Sequence, residues 1–309
     1  MPYRILQADP SLEAALRRIA REQIGSALGS LEATGEERAA AVHDVRKRCK
    51  KLRGLLRLVR PAFPGFAAEN AALRDIARLL GGTRDASVLQ QTFDAVARGE
   101  AAASLDPAAL ASLRTRLAPP EQEGAAVDLD ALFAEARTRL EEVGTRAAGW
   151  SLRADGWDAL APGLTDSYAR ARRARKLAAA KPTTERHHDW RKRVKDHWYH
   201  TRLLRRIQPA ELDPRSERAR ELSELLGHHH DLHVLEEALS VRPVAKRAPE
   251  AAKFLRRLAR DGRVSLEERA QDLGRELQAD EPAALASRWG EWWHAWRGEG
   301  VRQAAALAG

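Results

Sequence analysis

The segment Val42–Pro61 reads VHDVRKRCKKLRGLLRLVRP. On an α-helix, at about 100° per residue, His43, Arg46, Lys47, Lys50, Gly54 and Arg57 fall on one side. Val45, Leu52, Leu56 and Val59 fall on the other, flanked by Cys49 and Leu55. One side can therefore pack against a core while the other presents a row of cations. Like charges this close repel, so the row calls for a negatively charged partner.

The same lettering returns as HDWRKRVKDHWYHTRLLRR from His188. His43, Asp44, Arg46, Lys47, Arg48 and Lys50 match His188, Asp189, Arg191, Lys192, Arg193 and Lys195 at a constant offset of 145 residues. In the second copy His188, Arg191, Lys192, Lys195, Tyr199 and Arg202 trace the polar side. A second motif repeats as well. Leu79-Leu80-Gly81, with Asp85, Val88 and Leu89 behind it, aligns with Leu225-Leu226-Gly227, Asp231, Val234 and Leu235 at an offset of 146. Two motifs in the same order and spacing predict a duplicated chain, with helical repeats over roughly 1–150 and 151–309.

Composition bounds the reading. The chain has 309 residues, enough for two domains or one large internally repeated one, and a 44% hydrophobic content that supports a core. Ala, Leu and Arg are abundant while Tyr and Phe are scarce, which favours helices. A net charge of +9 and a pI of about 10.1 point to polyanionic partners: nucleic acid, an acidic membrane surface or a phosphate polymer. The single cysteine, Cys49, excludes an intrachain disulfide and fits a reducing compartment. No signal peptide and no apolar run of about 18 residues is visible, so the expectation is a cytoplasmic protein without a membrane span.

Along the chain, Ser11 is a predicted N-cap for a helix reaching about Ala33. The basic helix runs from about Glu36 and is stopped by Pro61 and Pro64. Further helices are predicted over 66–80, 83–97, 106–117 and 129–147, with Pro119–Gly124 as a loop. In the second half they cover 157–180, 184–207, 215–226, 228–240, 251–278 and 282–296, with Gly227 as a break and a kink expected at Gly262 or Gly274. No segment alternates with period two, so no sheet is predicted. Trp289, Trp292, Trp293 and Trp296 form a helical stripe, expected to pack against the bundle or a partner chain.

The repeated His-x-x-Arg-Lys-x-x-Lys helix, followed each time by Leu-Gly-x-x-x-Asp-x-x-Val-Leu, resembles the CHAD family of histidine-containing α-helical domains. The resemblance implies an all-α fold of two pseudo-symmetric four-helix bundles forming one CHAD domain over 1–309. It also implies binding of inorganic polyphosphate on basic surfaces, and association with polyphosphate or storage granules or with polyphosphate-metabolising proteins. Many relatives carry a triphosphate tunnel domain ahead of this region. Here the basic helix begins near residue 36, so the expectation is a stand-alone protein. Leu52 and Gly54 stand where the second copy has His197 and Tyr199, so the halves need not bind equally.

The candidate polyphosphate contacts are His43, Arg46, Lys47, Lys50, Arg53, Arg57, Arg84, Arg172, Arg173, His188, Arg191, Lys192, Lys195, Tyr199, Arg202, Arg206 and His229. A phosphate polymer offers charge and no bases, so it needs a track of Arg forks and Lys point charges. The alternative is a solvated charged face. His43 and His188 admit two readings. They are phosphate ligands, strengthened by protonation so that affinity rises from pH 8 to pH 6, or neutral rings fixed by a carboxylate such as Asp85 or Asp231. Those two Asp residues follow a Gly break, which suits a structural role in the first turn of a helix.

His228, His229, His230, Asp231 and His233 raise a metal reading, since His229 and His233 have ligand spacing on a helix. Copy one has Gly-Thr-Arg-Asp there, so no metal is expected in the common design. His187-His188-Asp189 also suggests a metal phosphohydrolase, but the surrounding cations repel metal and no nucleophile or phosphate loop accompanies it. The expectation is a non-catalytic chain without cofactor. Nucleic-acid binding is the alternative, with Trp190, Trp198 and Tyr199 the only aromatic residues in the basic helix. A granule-surface scaffold is a further one.

Overall fold

The computed structural model describes residues 3–81, 85–117, 128–241, 246 and 248–308, and among these every regular element is a helix. Helix α1 spans Leu12–Ser30, and the Ser11 hydroxyl accepts the Ala14 N–H at 3.0 Å, the cap its position predicts. A short 3₁₀ turn leads into the basic helix α2, Arg38–Leu58. Then follow α3 (Phe66–Leu79), α4 (Asp85–Ala97), α5 (Pro107–Leu117) and α6 (Leu129–Ala147). Helix α7 is Gly156–Ala180, and α8 is the second basic helix, Thr184–Leu204, capped by the Thr183 hydroxyl. Helices α9 (Pro209–Ser240), α10 (Pro249–Leu277) and α11 (Pro282–Ala308) complete the chain.

The bounds of α9 and α11 differ from the sequence reading. Helix α9 continues through Gly227, so the expected break is absent and Asp231 sits in the helix interior, away from a first turn. Gly81 does end a helix, because a second glycine follows it. Each Gly costs about 1 kcal/mol in a helix, and the second copy has only one. Helix α10 runs as one helix through Gly262 and Gly274, and α11 extends well past Trp296. The loop expected at Pro119–Gly124 lies outside the described residues, as does Arg84.

The apolar stripes close into three cores. The largest joins α1, α2, α3 and α6 to α7, the C-terminal half of α8 and α11, so it runs across the 150/151 boundary. Its α11 contribution is the tryptophan stripe: Trp289 and Trp293 are buried, and Trp292 and Trp296 pack beside them. A second core lies between α7, α8, α9 and α10 around Trp190. The third combines Phe93, Leu113 and Leu117 from α4 and α5 with Leu235, Leu239 and Leu255 from α9 and α10. Full burial of such side chains contributes about 1.5–3 kcal/mol each, and the interleaving ties the two halves together. Among the described residues no helix is long and apolar enough to cross a membrane.

Candidate polyanion-binding surface

The two basic helices touch. Gly54 of α2 lies against Tyr199 of α8, and a Cβ on Gly54 would stand 2.9 Å from the Tyr199 Cβ. These are corresponding positions of the two copies. Beside them the His200 ring nitrogen Nε2 donates to the Gly54 carbonyl at 3.1 Å. Arg57 donates to the buried Asp196 carboxylate at 2.8 Å. The corresponding pair on the other side of the contact is Arg202 and Lys51, two cations. There the Tyr3 ring intervenes: Lys51 Nζ stands 5.7 Å and the Arg202 guanidinium 6.0 Å from its centroid. An aromatic face between two cations replaces part of the missing carboxylate.

Towards their N-terminal ends the helices carry the repeated motif. In each copy the Asp neutralises one Arg a turn later: Arg48 donates to Asp44 at 2.5 Å and Arg193 to Asp189 at 3.3 Å. The motif Arg docks on the repeated Leu-Gly. Arg46 donates to the Leu80 carbonyl at 3.1 Å, and a Cβ on Gly81 would stand 3.1 Å from the same Arg46 Nη1. A Cβ on Gly227 would come within 2.7 Å of Arg191 Nη2. The glycine in each second motif is therefore the seat of the arginine in the first, which explains why the two motifs recur together. His43, Lys47, Lys50 and Lys192 are exposed, and Arg46, Arg53, Arg191 and Lys195 are half-buried.

Cations crowd this region enough to perturb one another. Burial, then the neighbouring Arg57, pushes Arg53 down to about 10. Burial, then Arg202, Lys47 and Arg48, pushes Lys51 down to about 8. Burial, then Lys192, His230 and Arg191, pushes His188 down to about 4, so its ring is neutral in the unliganded protein. The His188 ring faces His230, at 5.2 Å between centroids. His188 Nδ1 is buried without a hydrogen-bond partner, and the carboxylate that acts on the ring is Asp189. Asp85 is the first residue of α4, the place expected for it.

Other candidates are placed elsewhere. Tyr199 is buried between Gly54, Tyr3 and Trp198 and is no surface contact, because the polar side of α8 is covered where α2 crosses it. Burial raises its phenol to about 12. Arg202 lies over the Trp198 ring at 5.1 Å. Arg57 is engaged by Asp196. On α7, Arg172 makes two hydrogen bonds of 2.6 Å to Glu281, while Arg173 is exposed. Arg206 is exposed in the turn after α8. His229 is buried and bonded to Glu267, so it does not extend the basic surface. His233 bonds Arg263 and Glu237, so it does not face His229 as a ligand partner.

Sequence reasoning missed a cleft between α2, α7 and α8, where Arg57, Arg60, Arg170 and Arg193 surround Asp166 and Asp196. It also missed Lys51, which lies between the charged and apolar sides of α2 and is buried beside Tyr3. The available signal was Asp196, which stands in copy two where copy one has Lys51.

No curated protein and no solved structure matches the chain. The family model described as CHAD domain matches residues 12–240, from the start of α1 to the end of α9. That span covers well over half of the sequence and both copies of both motifs, and the chain belongs to the CHAD domain family.

Proposed function

We propose that the chain binds inorganic polyphosphate, without catalysis or cofactor, along the cations of α2 and α8. The observation that carries this reading is that the two basic helices touch at Gly54 and Tyr199 while His43, Lys47, Lys50 and Lys192 stay exposed along them, with Arg53, Lys51 and His188 each held low by burial and then by neighbouring cations. A surface this crowded with cations lacks negative charge, and a polymer of phosphates supplies it without needing base-specific contacts. The Arg46 guanidinium is anchored on the Leu80 carbonyl and the Arg191 guanidinium lies against Gly227, which fixes both side chains along the two rows. His43, Lys47, Lys50, Lys192 and Lys195 add point charges along the same helices.

The reading extends to the architecture. The halves 1–150 and 151–309 are repeats of one helical design related by a pseudo-two-fold axis through the Gly54–Tyr199 contact. Three relations support it: Gly54 meets its counterpart Tyr199, while Arg57–Asp196 and Arg202–Lys51 are reciprocal pairs. An isologous contact has this form. The two rows then meet at the axis and serve one polymer, which suits targeting to polyphosphate or storage granules.

Competition tests the proposal. Long polyphosphate should displace single- or double-stranded DNA of equal charge and resist the reverse. Its affinity should fall on the order of a hundredfold between about 50 and 200 mM salt, as for about five single-strand phosphate contacts. DNA that displaces polyphosphate at equal charge overturns the reading in favour of a nucleic-acid binder.

A further inference from the structure

We propose that His187, His229 and Glu267 form a binding site for one divalent transition ion of the zinc class. The side chains come from α8, α9 and α10, and their candidate ligand atoms all lie within 4.8 Å of one another. The two imidazoles are each 2% exposed, with ring centroids 4.4 Å apart. Glu267 Oε1 stands 2.7 Å from His229 Nε2. Two imidazole nitrogens and one carboxylate, with a fourth position left to water, are a common zinc donor set. Calcium and magnesium would require oxygen ligands instead.

The support around the ligands fits. His187 Nδ1 lies 2.9 Å from the Thr183 carbonyl oxygen, which can only accept. Nδ1–H therefore donates to that carbonyl, which leaves Nε2 as the nitrogen available to a metal ion. A backbone carbonyl that fixes an imidazole in this way is the usual partner of a metal-ligating His. A cleft lined by Ala178, Pro182, Glu268, Gln271 and Asp272 leads to His187 and Glu267, giving an ion a route in. Gln271 is one turn along α10 from Glu267, and both of its amide atoms are buried without a hydrogen-bond partner. Such a group can hold the water of a fourth position or supply its own oxygen. Arg275 also lines the cleft but is paired with Asp272, and Arg263 is paired with Glu236.

The site belongs to this chain more than to its repeated design. His187 corresponds to Val42 and His229 to Thr83, and Glu267 lies beyond the residues matched by the family. It is independent of the polyphosphate reading, and so is its test.

The metal-free full chain is titrated with Zn²⁺ alone, by calorimetry and against a chromophoric chelator. One saturable equivalent is expected. Glu267→Gln retains an oxygen for the His229 N–H, and with it the fold, but should weaken binding about tenfold or more. His187→Asn and His229→Asn should do the same, while His230→Asn should leave binding unchanged. Co²⁺ in place of Zn²⁺ should give the intense visible bands of a four-coordinate ion, which Glu267→Gln alters. Absence of saturable binding, or an affinity for Glu267→Gln within about twofold of the parent, overturns the proposal. If the His variants fail to fold, Glu267→Gln and the Co²⁺ spectrum decide it.

Discussion

Replacing His200 by Gln should flatten the acid side of the stability profile. His200 is wholly buried at the α2–α8 contact, with Nε2 donating to the Gly54 carbonyl and Nδ1 without a partner. An imidazolium there would bury a second, unsatisfied N–H and a charge near Arg57. Burial therefore pushes the ring down to about 3 in the folded chain, against about 6.5 when unfolded. Between these values the unfolded chain takes up a proton that the folded chain refuses. Stability is then complete above about pH 6.5 and falls as pH drops towards 3, by about 1.4 kcal/mol per unit. At pH 5 the loss from this residue is about 2 kcal/mol. His197 is also held well below its usual value by burial and Arg215, which donates to its Nε2 at 3.0 Å, so a parallel slope remains in the variant. Denaturant unfolding at half-unit steps from pH 7.5 to 5 measures the difference. His200→Gln, which keeps a donor for Gly54, should reduce the slope by about one proton. Equal slopes for the variant and the parent, or a His200 ring that titrates near 6.5 by NMR, would refute the reasoning.

Two further perturbations test the packing of the basic helices. A Cβ on Gly163 of α7 would lie 1.9 Å from the Leu58 carbonyl oxygen and 2.7 Å from its carbon. Backbone cannot swing aside, so Gly163→Ala should destabilise by about 3 kcal/mol or more despite the better helix propensity of Ala, and a shift below about 1 kcal/mol in chemical denaturation would contradict the α2–α7 contact. Arg57→Ala leaves the buried Asp196 with Arg193, 3.9 Å away, and the more distant charge of Arg53, and should cost about 3 kcal/mol; adding Asp196→Ala should recover part of that loss, and strict additivity in the double-mutant cycle would rule out the pair.

Much of this arrangement was legible in the residues because a helix displays its faces at fixed spacing. The row from His43 to Lys50 and the apolar side Val45, Leu52, Leu56 and Val59 came directly from that period, and Pro61, Pro182 and Pro209 mark the ends of the basic segments. Periodicity does not reveal where another helix crosses. Tyr199 and Gly54 sit on the polar side by angle, yet the crossing buries both; the hint was a glycine within a charged row. Nor does a motif fix its own backbone. The first Leu-Gly lies just past the end of α3 at Leu79, whereas α9 passes unbroken through Gly227-His228. The His187–His229–Glu267 cluster joins three helices, and helical spacing within α9 pointed instead to His229 with His233, which face different partners.

The central claim is that α2 and α8 serve one polymer. Calorimetric titration with a short, defined polyphosphate should compare the parent with Lys47→Ala/Lys50→Ala and with Lys192→Ala/Lys195→Ala. One polymer per chain is expected, and each double variant should lower the affinity while leaving that stoichiometry unchanged. Two independent equivalents, one removed by each double variant, would contradict the shared track, and an affinity moved by neither would contradict binding at these helices altogether.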